Sequence, residues 1–236
     1  MQGVIKSKRA AIPVLSAFFA AELALGIAIQ HTHNRLNVVL SYSAVVLAFL
    51  FLWVSIECSL DFVLTAIALF GTVMADLFLV VLDPMRQLPA MICFSITQLA
   101  YFTRILLKTK NKPLFITHIV VRCVLSCVAV VATAVVLGEN ADAVSLVSLF
   151  YFANLVVNVI FAFVELKKAP ILAIGLLLFL FCDFFVGMSM VGGYLPVNDS
   201  GLMRFFVDPG FNAAWLFYVP SQALLASSVL VKRIIK

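Results

Sequence analysis

The sequence predicts an all-α, polytopic membrane protein: an eight-helix transmembrane bundle with both chain ends in the cytoplasm. Of its 236 residues, 64% are apolar and only 11% are charged, whereas a soluble domain carries roughly 25% charged residues. The apolar residues form long runs, and most basic residues lie in short clusters between them. Because so few charges cannot cover a water-soluble surface, the excess apolar surface is expected to face lipid. The net charge of +5 comes from these clusters and does not indicate a nucleic-acid partner.

Eight apolar runs are each long enough to cross the hydrocarbon core, which needs roughly 20 helical residues. They cover residues 10–29, 38–56, 62–82, 88–107, 114–136, 143–164, 171–190 and 211–231. The first run is longer than the core of a signal peptide, so we interpret it as a membrane helix. Most connections are short, which makes successive helices antiparallel neighbours. We therefore expect a single transmembrane domain, residues 1–236, in a cell membrane.

The distribution of Lys and Arg predicts the orientation, because cytoplasmic segments of membrane proteins carry the excess of these residues. If the N-terminus is inside, the cytoplasmic side holds Lys6, Lys8, Arg9, Arg104, Lys108, Lys110, Lys112, Lys167, Lys168, Lys232, Arg233 and Lys236. The opposite side then holds Arg35, Arg86 and Arg204. The long segment 191–210 on that outer side is rich in turn-forming residues, and it is either a connector or a lid over a site.

Ionisable residues inside a membrane span are costly, and each is a hypothesis for a functional site. Here they are Glu22, Asp76, Arg122 and Asp183. At a rise of 1.5 Å per residue, Asp76, Asp183 and Tyr218 each lie about 10 Å below the outer ends of their helices. Gln222 and Gln98 lie about 15 Å deep, and Thr72 is one turn from Asp76. We therefore expect a polar layer in which the two aspartates face one pocket.

The same polar residues also have a purely structural interpretation, because polar side chains hydrogen-bond neighbouring helices to one another. This interpretation is favoured for Thr72, Gln98, Asn154 and Asn158. For Glu22 and Arg122 both interpretations stay open, and Arg122 would either reach the inner surface or pair with a carboxylate. His118 is expected at the membrane interface. The spacing of the His and Cys residues predicts no metal site.

Four stretches in order along the chain resemble the YhhN-like lysoplasmalogenase family of membrane proteins: residues 71–80, 92–102, 176–187 and 217–225. The family pattern has acids at the positions of Asp76 and Asp183, and a Tyr followed four residues later by a Gln, here Tyr218 and Gln222. The sequence departs from that pattern at Ala75, where a Gly is frequent, and at Gln98, where a His is common.

The resemblance implies hydrolysis of the vinyl ether bond of a lysoplasmalogen, a lysophospholipid of the membrane, with release of a fatty aldehyde and without a cofactor. Asp76 and Asp183 would be the acid–base pair. The candidate substrate-binding residues are Thr72, Gln98, Tyr101, Asn154, Tyr218 and Gln222. Two alternatives remain: a transporter or channel in which the acids bind protons or a cation, and a divergent, non-catalytic lipid-binding protein.

Overall fold

The structure is a computed structural model that describes residues 8–55, 59–194, 201–207 and 210–235. Every regular element in these ranges is helical. The α-helices are α1 (Lys8–His31), α2 (Asn34–Leu52), α3 (Leu60–Asp76), α4 (Gln87–Leu106), α5 (Lys112–Leu137), α6 (Ala143–Val164), α7 (Pro170–Val191), α8 (Gly201–Val207) and α9 (Ala213–Ile235). A π-helical segment, Leu77–Val81, directly follows α3.

Eight of these helices are long and apolar enough to cross a membrane, which confirms the predicted all-α bundle and its number of spans. The predicted bounds are correct to within a few residues at most helix ends. The second span is the largest exception: α2 begins at Asn34 and ends at Leu52, and a 3-10 turn continues to Ser55. Residue 56, the predicted end of that span, lies outside the described residues, and so does much of segment 191–210. The orientation in the membrane stays a prediction.

Several helices begin where a polar side chain binds the free backbone N–H groups of the first turn. Ser59 accepts a hydrogen bond from the backbone of Phe62 at 3.2 Å. Asp142 and Ser145 form a reciprocal capping box at the start of α6, in which the Ser145 N–H donates to Asp142 Oδ1 at 2.7 Å. This backbone hydrogen bond lowers the pKa of the Asp142 carboxyl. These caps stabilise the first turns of α3 and α6.

Five helices form a closed ring at the centre of the bundle. In ring order α3 packs on α4, α4 on α6, α6 on α7, α7 on α9, and α9 again on α3. Outside the ring, α1 and α2 pack against α9, α2 also packs against α3, and α5 packs on α6. The contact between α3 and α9 is the least extensive in the ring, and α2 lies beside both of these helices.

Glycines allow two pairs of ring helices to approach closely, as small residues do in membrane proteins generally. A Cβ atom on Gly71 of α3 would collide with Thr97 Oγ1 and lie 3.2 Å from the backbone oxygen of Cys93 on α4. A Cβ atom on Gly175 of α7 would lie 2.9 Å from Leu225 on α9. These two contacts hold the ring tightly at α3–α4 and α7–α9.

Charged residues join the end of the bundle where α3 begins and α4 ends. Arg104 is 1% exposed, and its Nε donates to Asp61 Oδ1 at 2.6 Å. Lys108 Nζ lies 3.4 Å from the same oxygen. Arg104 is the third-last residue of α4 and is buried by its pairing with Asp61.

Candidate active site

Asp76 and Tyr218 meet inside the ring. Asp76 is the last residue of α3 and is 3% exposed, and the Tyr218 hydroxyl donates to its Oδ2 at 2.7 Å. The backbone then widens into the π segment, in which the Leu82 N–H binds the Leu77 oxygen at 3.0 Å. Short π-helical segments occur often at functional sites. By contrast, α7 continues as an α-helix through Asp183 to Val191. The transporter alternative predicts helix interruptions at paired positions, and α7 has none after Asp183.

One turn deeper, the same two helices are joined by Thr72 and Gln222. The Thr72 hydroxyl lies 2.7 Å from the Leu69 oxygen and 3.4 Å from Gln222 Oε1. Both side chains are buried, and within the described residues Gln222 Nε2 has no hydrogen-bond partner. A buried amide donor without a partner is costly and marks a position where a ligand or water is expected to bind.

Asp183 has a tyrosine partner that the sequence interpretation missed. The Tyr151 hydroxyl on α6 donates to Asp183 Oδ2. Tyr151 is 5% exposed, while Asp183 is partly exposed. The signal was present in the sequence, because Tyr151 lies about 12 Å from the end of its helix that is predicted to face outside, close to the depth predicted for Asp183.

A chain of aromatic rings connects the two tyrosine–aspartate pairs. Tyr151 stacks on Phe94 at a centroid distance of 5.4 Å, and Phe94 meets Phe179 edge-on at 5.9 Å. Phe179 lies 5.5 Å from Tyr218. Asp183 lies within the electrostatic range of Asp76, and Tyr218 within that of both acids. The two carboxyl groups therefore share one apolar interior built from the five helices of the ring.

A second polar network joins α4, α5 and α6. Arg122 donates to the amide oxygens of Asn154 and Asn158, and its guanidinium lies 4.0 Å from the centre of the Phe102 ring. Asn158 Nδ2 in turn donates to Gln98 Oε1 at 2.9 Å. The sequence left open whether Arg122 reaches the inner surface or pairs with a carboxylate. Instead, Arg122 pairs with two neutral amides.

This network divides the candidate substrate-binding residues. The Asn154 amide donates to Ser126 at 3.1 Å and to the Phe150 oxygen at 2.7 Å, and its oxygen accepts from Arg122, so it is fully engaged. Gln98 is held by Asn158 rather than by an acid, and its buried Nε2 has no partner among the described residues. Tyr101 is 0% exposed and lies within the electrostatic range of Arg104, which places it toward the charged end.

Within the described residues, the remaining predicted polar side chains form no hydrogen bond to Asp76 or Asp183. His118 is 0% exposed and stacks on Phe161 at 3.9 Å, in the interior rather than at the expected interface. Glu22 is 2% exposed, and neither carboxylate oxygen has a hydrogen-bond partner within the described part of the chain. Arg86 and Arg204 are exposed.

Fold and site together define a multi-spanning helical membrane protein with two carboxyl groups within its spans, each bonded to a tyrosine. The YhhN family model matches residues 36–229, a range that includes four helices of the central ring and most of α9, and the chain belongs to the YhhN family. The match begins after α1. No curated protein and no solved structure matches the chain.

Proposed function

We propose that this protein is an intramembrane hydrolase that cleaves the vinyl ether bond of lysoplasmalogen-type lysophospholipids by carboxylate acid–base catalysis. The observation that carries the proposal is the pair Asp76 and Asp183. They come from distant parts of the chain, each accepts a tyrosine hydroxyl, and packed aromatic rings connect the two tyrosines. Membership of the YhhN family supports the same class of enzyme.

The reaction needs one protonated and one ionised carboxyl group. The protonated group transfers its proton to the outer carbon of the vinyl ether, which leaves a cationic oxocarbenium at the ether carbon. The ionised group stabilises this cation and accepts a proton from the water that attacks it. The resulting hemiacetal then releases the glycerol oxygen as an alcohol and the former alkenyl chain as an aldehyde. Because both acids lie among apolar rings, the positive charge interacts with the carboxylate more strongly than it would in water.

The tyrosines and Gln222 are positioned for supporting roles. Tyr218 and Tyr151 hold the two carboxyl groups in place by hydrogen bonds. The free Nε2 of Gln222 lies one helical turn from Tyr218 and is available to bind the attacking water or a substrate oxygen. The exposed Arg86 and Arg204 are available to the lipid phosphate.

The direct test is aldehyde release by the purified protein in proteoliposomes that contain an alkenyl-lysophospholipid. We expect the wild type to release aldehyde, and Asp76→Asn and Asp183→Asn each to reduce the rate at least 100-fold, the lower range for a catalytic proton-transfer group. Asp142→Asn is the matched control, because Asp142 caps α6 at the edge of the bundle. Absence of aldehyde with the wild type, or equal rates in all three variants, would overturn the proposal.

A further inference from the structure

A groove runs along the outside of the ring between α1 and α2. Its volume is about 470 Å³, which is within the range of small-molecule binding sites. Its walls are formed by Leu25, Tyr42, Ser43, Val46, Leu47 and Leu50. All six residues lie within membrane-spanning segments, so the groove opens toward the hydrocarbon of the bilayer.

The groove leads toward Asp76. Tyr42, one of its wall residues, lies within the electrostatic range of the Asp76 carboxyl group. The helix that carries Tyr42 packs on α3, on the π segment after Asp76 and on α9. It therefore covers the seam between α3 and α9, where the contact within the ring is least extensive. A molecule in the groove thus lies next to the seam behind which Asp76 and Tyr218 meet.

The groove has a polar end and an apolar end. Tyr42, Val46 and Leu50 are four residues apart and line one face of α2 over about 12 Å. The two hydroxyl groups, of Tyr42 and Ser43, lie at the end near Asp76, and the remaining walls are aliphatic. A lipid with one hydrocarbon chain and a polar glycerol end has the same polarity along its length.

We infer that this groove binds the hydrocarbon chain of a single-chain ether lysophospholipid, with the ether end directed past Tyr42 toward Asp76. The chain lies against Leu47 and Leu50, and the α3–α9 seam is the path by which the ether bond reaches the acids. The inference rests on the proposed function for the identity of the lipid. Binding itself requires no hydrolysis, so it can be measured separately.

The test uses a saturated alkyl-ether lysophospholipid with a diazirine at the end of its chain, in phosphatidylcholine proteoliposomes. The saturated ether cannot be hydrolysed by the proposed chemistry. We expect photolabelling to concentrate on α1 and α2 around Leu47 and Leu50, and to fall when unlabelled alkyl-ether lysophospholipid is added in excess. The reference is α5, whose Val131 and Val135 are 62% and 75% exposed. Equal labelling of α5, or labelling that excess lipid does not reduce, would overturn the inference.

Two tryptophan variants on one helix provide the matched functional comparison. Leu25→Trp fills the groove, whereas Leu23→Trp, at a 66% exposed position of the same helix, adds the same ring outside it. We expect Leu25→Trp to lower kcat/KM about tenfold or more and to reduce competed labelling, and Leu23→Trp to change neither. Leu25 packs against Ile29 and Val219, so Val46→Trp replaces Leu25→Trp if that variant does not fold. Equal effects of groove and control variants would contradict the assignment.

The outcomes separate this inference from the proposed function. Competed labelling of the groove without aldehyde release refutes the hydrolase alone, whereas aldehyde release with labelling elsewhere refutes the groove alone. A second copy of the chain is the competing occupant. If cysteine crosslinking at Ser43→Cys joins two chains in dilute proteoliposomes and the lipid does not prevent it, the groove is a dimer interface and the inference is wrong.

Discussion

Replacing Tyr218 by Phe removes one hydroxyl group and leaves the aromatic packing of the site unchanged. The ring keeps its neighbours Phe179 and Trp215, at centroid distances of 5.5 and 5.3 Å. The lost interaction is the 2.7 Å hydrogen bond to Asp76, between side chains that are 4% and 3% exposed, so water does not replace it. A hydrogen bond to a charged group contributes about 1.5–3 kcal/mol, which corresponds to about 10- to 150-fold in rate. We expect kcat/KM for aldehyde release to fall by that factor.

The assay compares aldehyde release per folded protein, with thermal unfolding measured on the same samples. Tyr194→Phe is the matched control, because Tyr194 lies at the edge of the bundle, 3.5 Å from the Asp142 carboxylate. In a double-mutant cycle, Tyr218→Phe should add little to the loss caused by Asp76→Asn, because both changes remove the same contact. Wild-type kcat/KM in Tyr218→Phe, or fully additive losses, would refute the role of this hydrogen bond.

Three further predictions concern stability and are measured by thermal unfolding in detergent. Glu22→Leu should stabilise the protein by about 1–3 kcal/mol, because it removes a buried carboxyl group whose oxygens have no described partner; an unchanged or lower Tm would contradict this. Gly71→Ala should lower Tm because its Cβ meets the neighbouring helix, whereas Gly187→Ala, with nothing within 4 Å of the added atom, should not; equal effects would contradict the close packing. The lowered pKa of Asp142 means that its ionised cap stabilises the fold above the ordinary pKa range of Asp and is lost as pH falls through the lowered value; Asp142→Asn, which keeps the cap but cannot ionise, should flatten this acid dependence of Tm.

The bundle was predictable because lipid imposes a simple composition rule on the sequence. A span must be apolar for about 20 residues, and this rule alone recovers eight helices to within a few residues at most ends. The depth of each residue along its helix was also informative, since it placed Asp76 and Tyr218 in one layer. In the structure these two side chains form a hydrogen bond. Both predictions use only the length of a single helix and the position of a residue along it.

The features that sequence reasoning missed depend on how helices rotate and pack against one another. Arg122 donates to two amides on α6, and Asp183 accepts from Tyr151 on the same helix, because α5 and α7 each pack against α6. The depth of a residue along its helix narrows the set of possible partners. It does not identify which side chain of a neighbouring helix faces that residue. The π segment after Asp76 is a change of backbone hydrogen bonding within an apolar stretch, Leu77–Val81, that carries no breaker residue. The residue types in this stretch therefore do not predict where the π segment forms.

The most direct test of the central claim, that one of two carboxyl groups protonates a vinyl ether at carbon while the other stabilises the cation, is the mass of the aldehyde released in D₂O. Protonation of the outer vinyl carbon places one deuterium on the carbon next to the aldehyde group; a preformed aldehyde incubated in D₂O controls for exchange. We predict one deuterium in the product of the wild-type protein, and little or no product with Asp76→Asn or Asp183→Asn. Aldehyde without deuterium at that carbon, or deuterated product at the wild-type rate from either variant, would contradict the account.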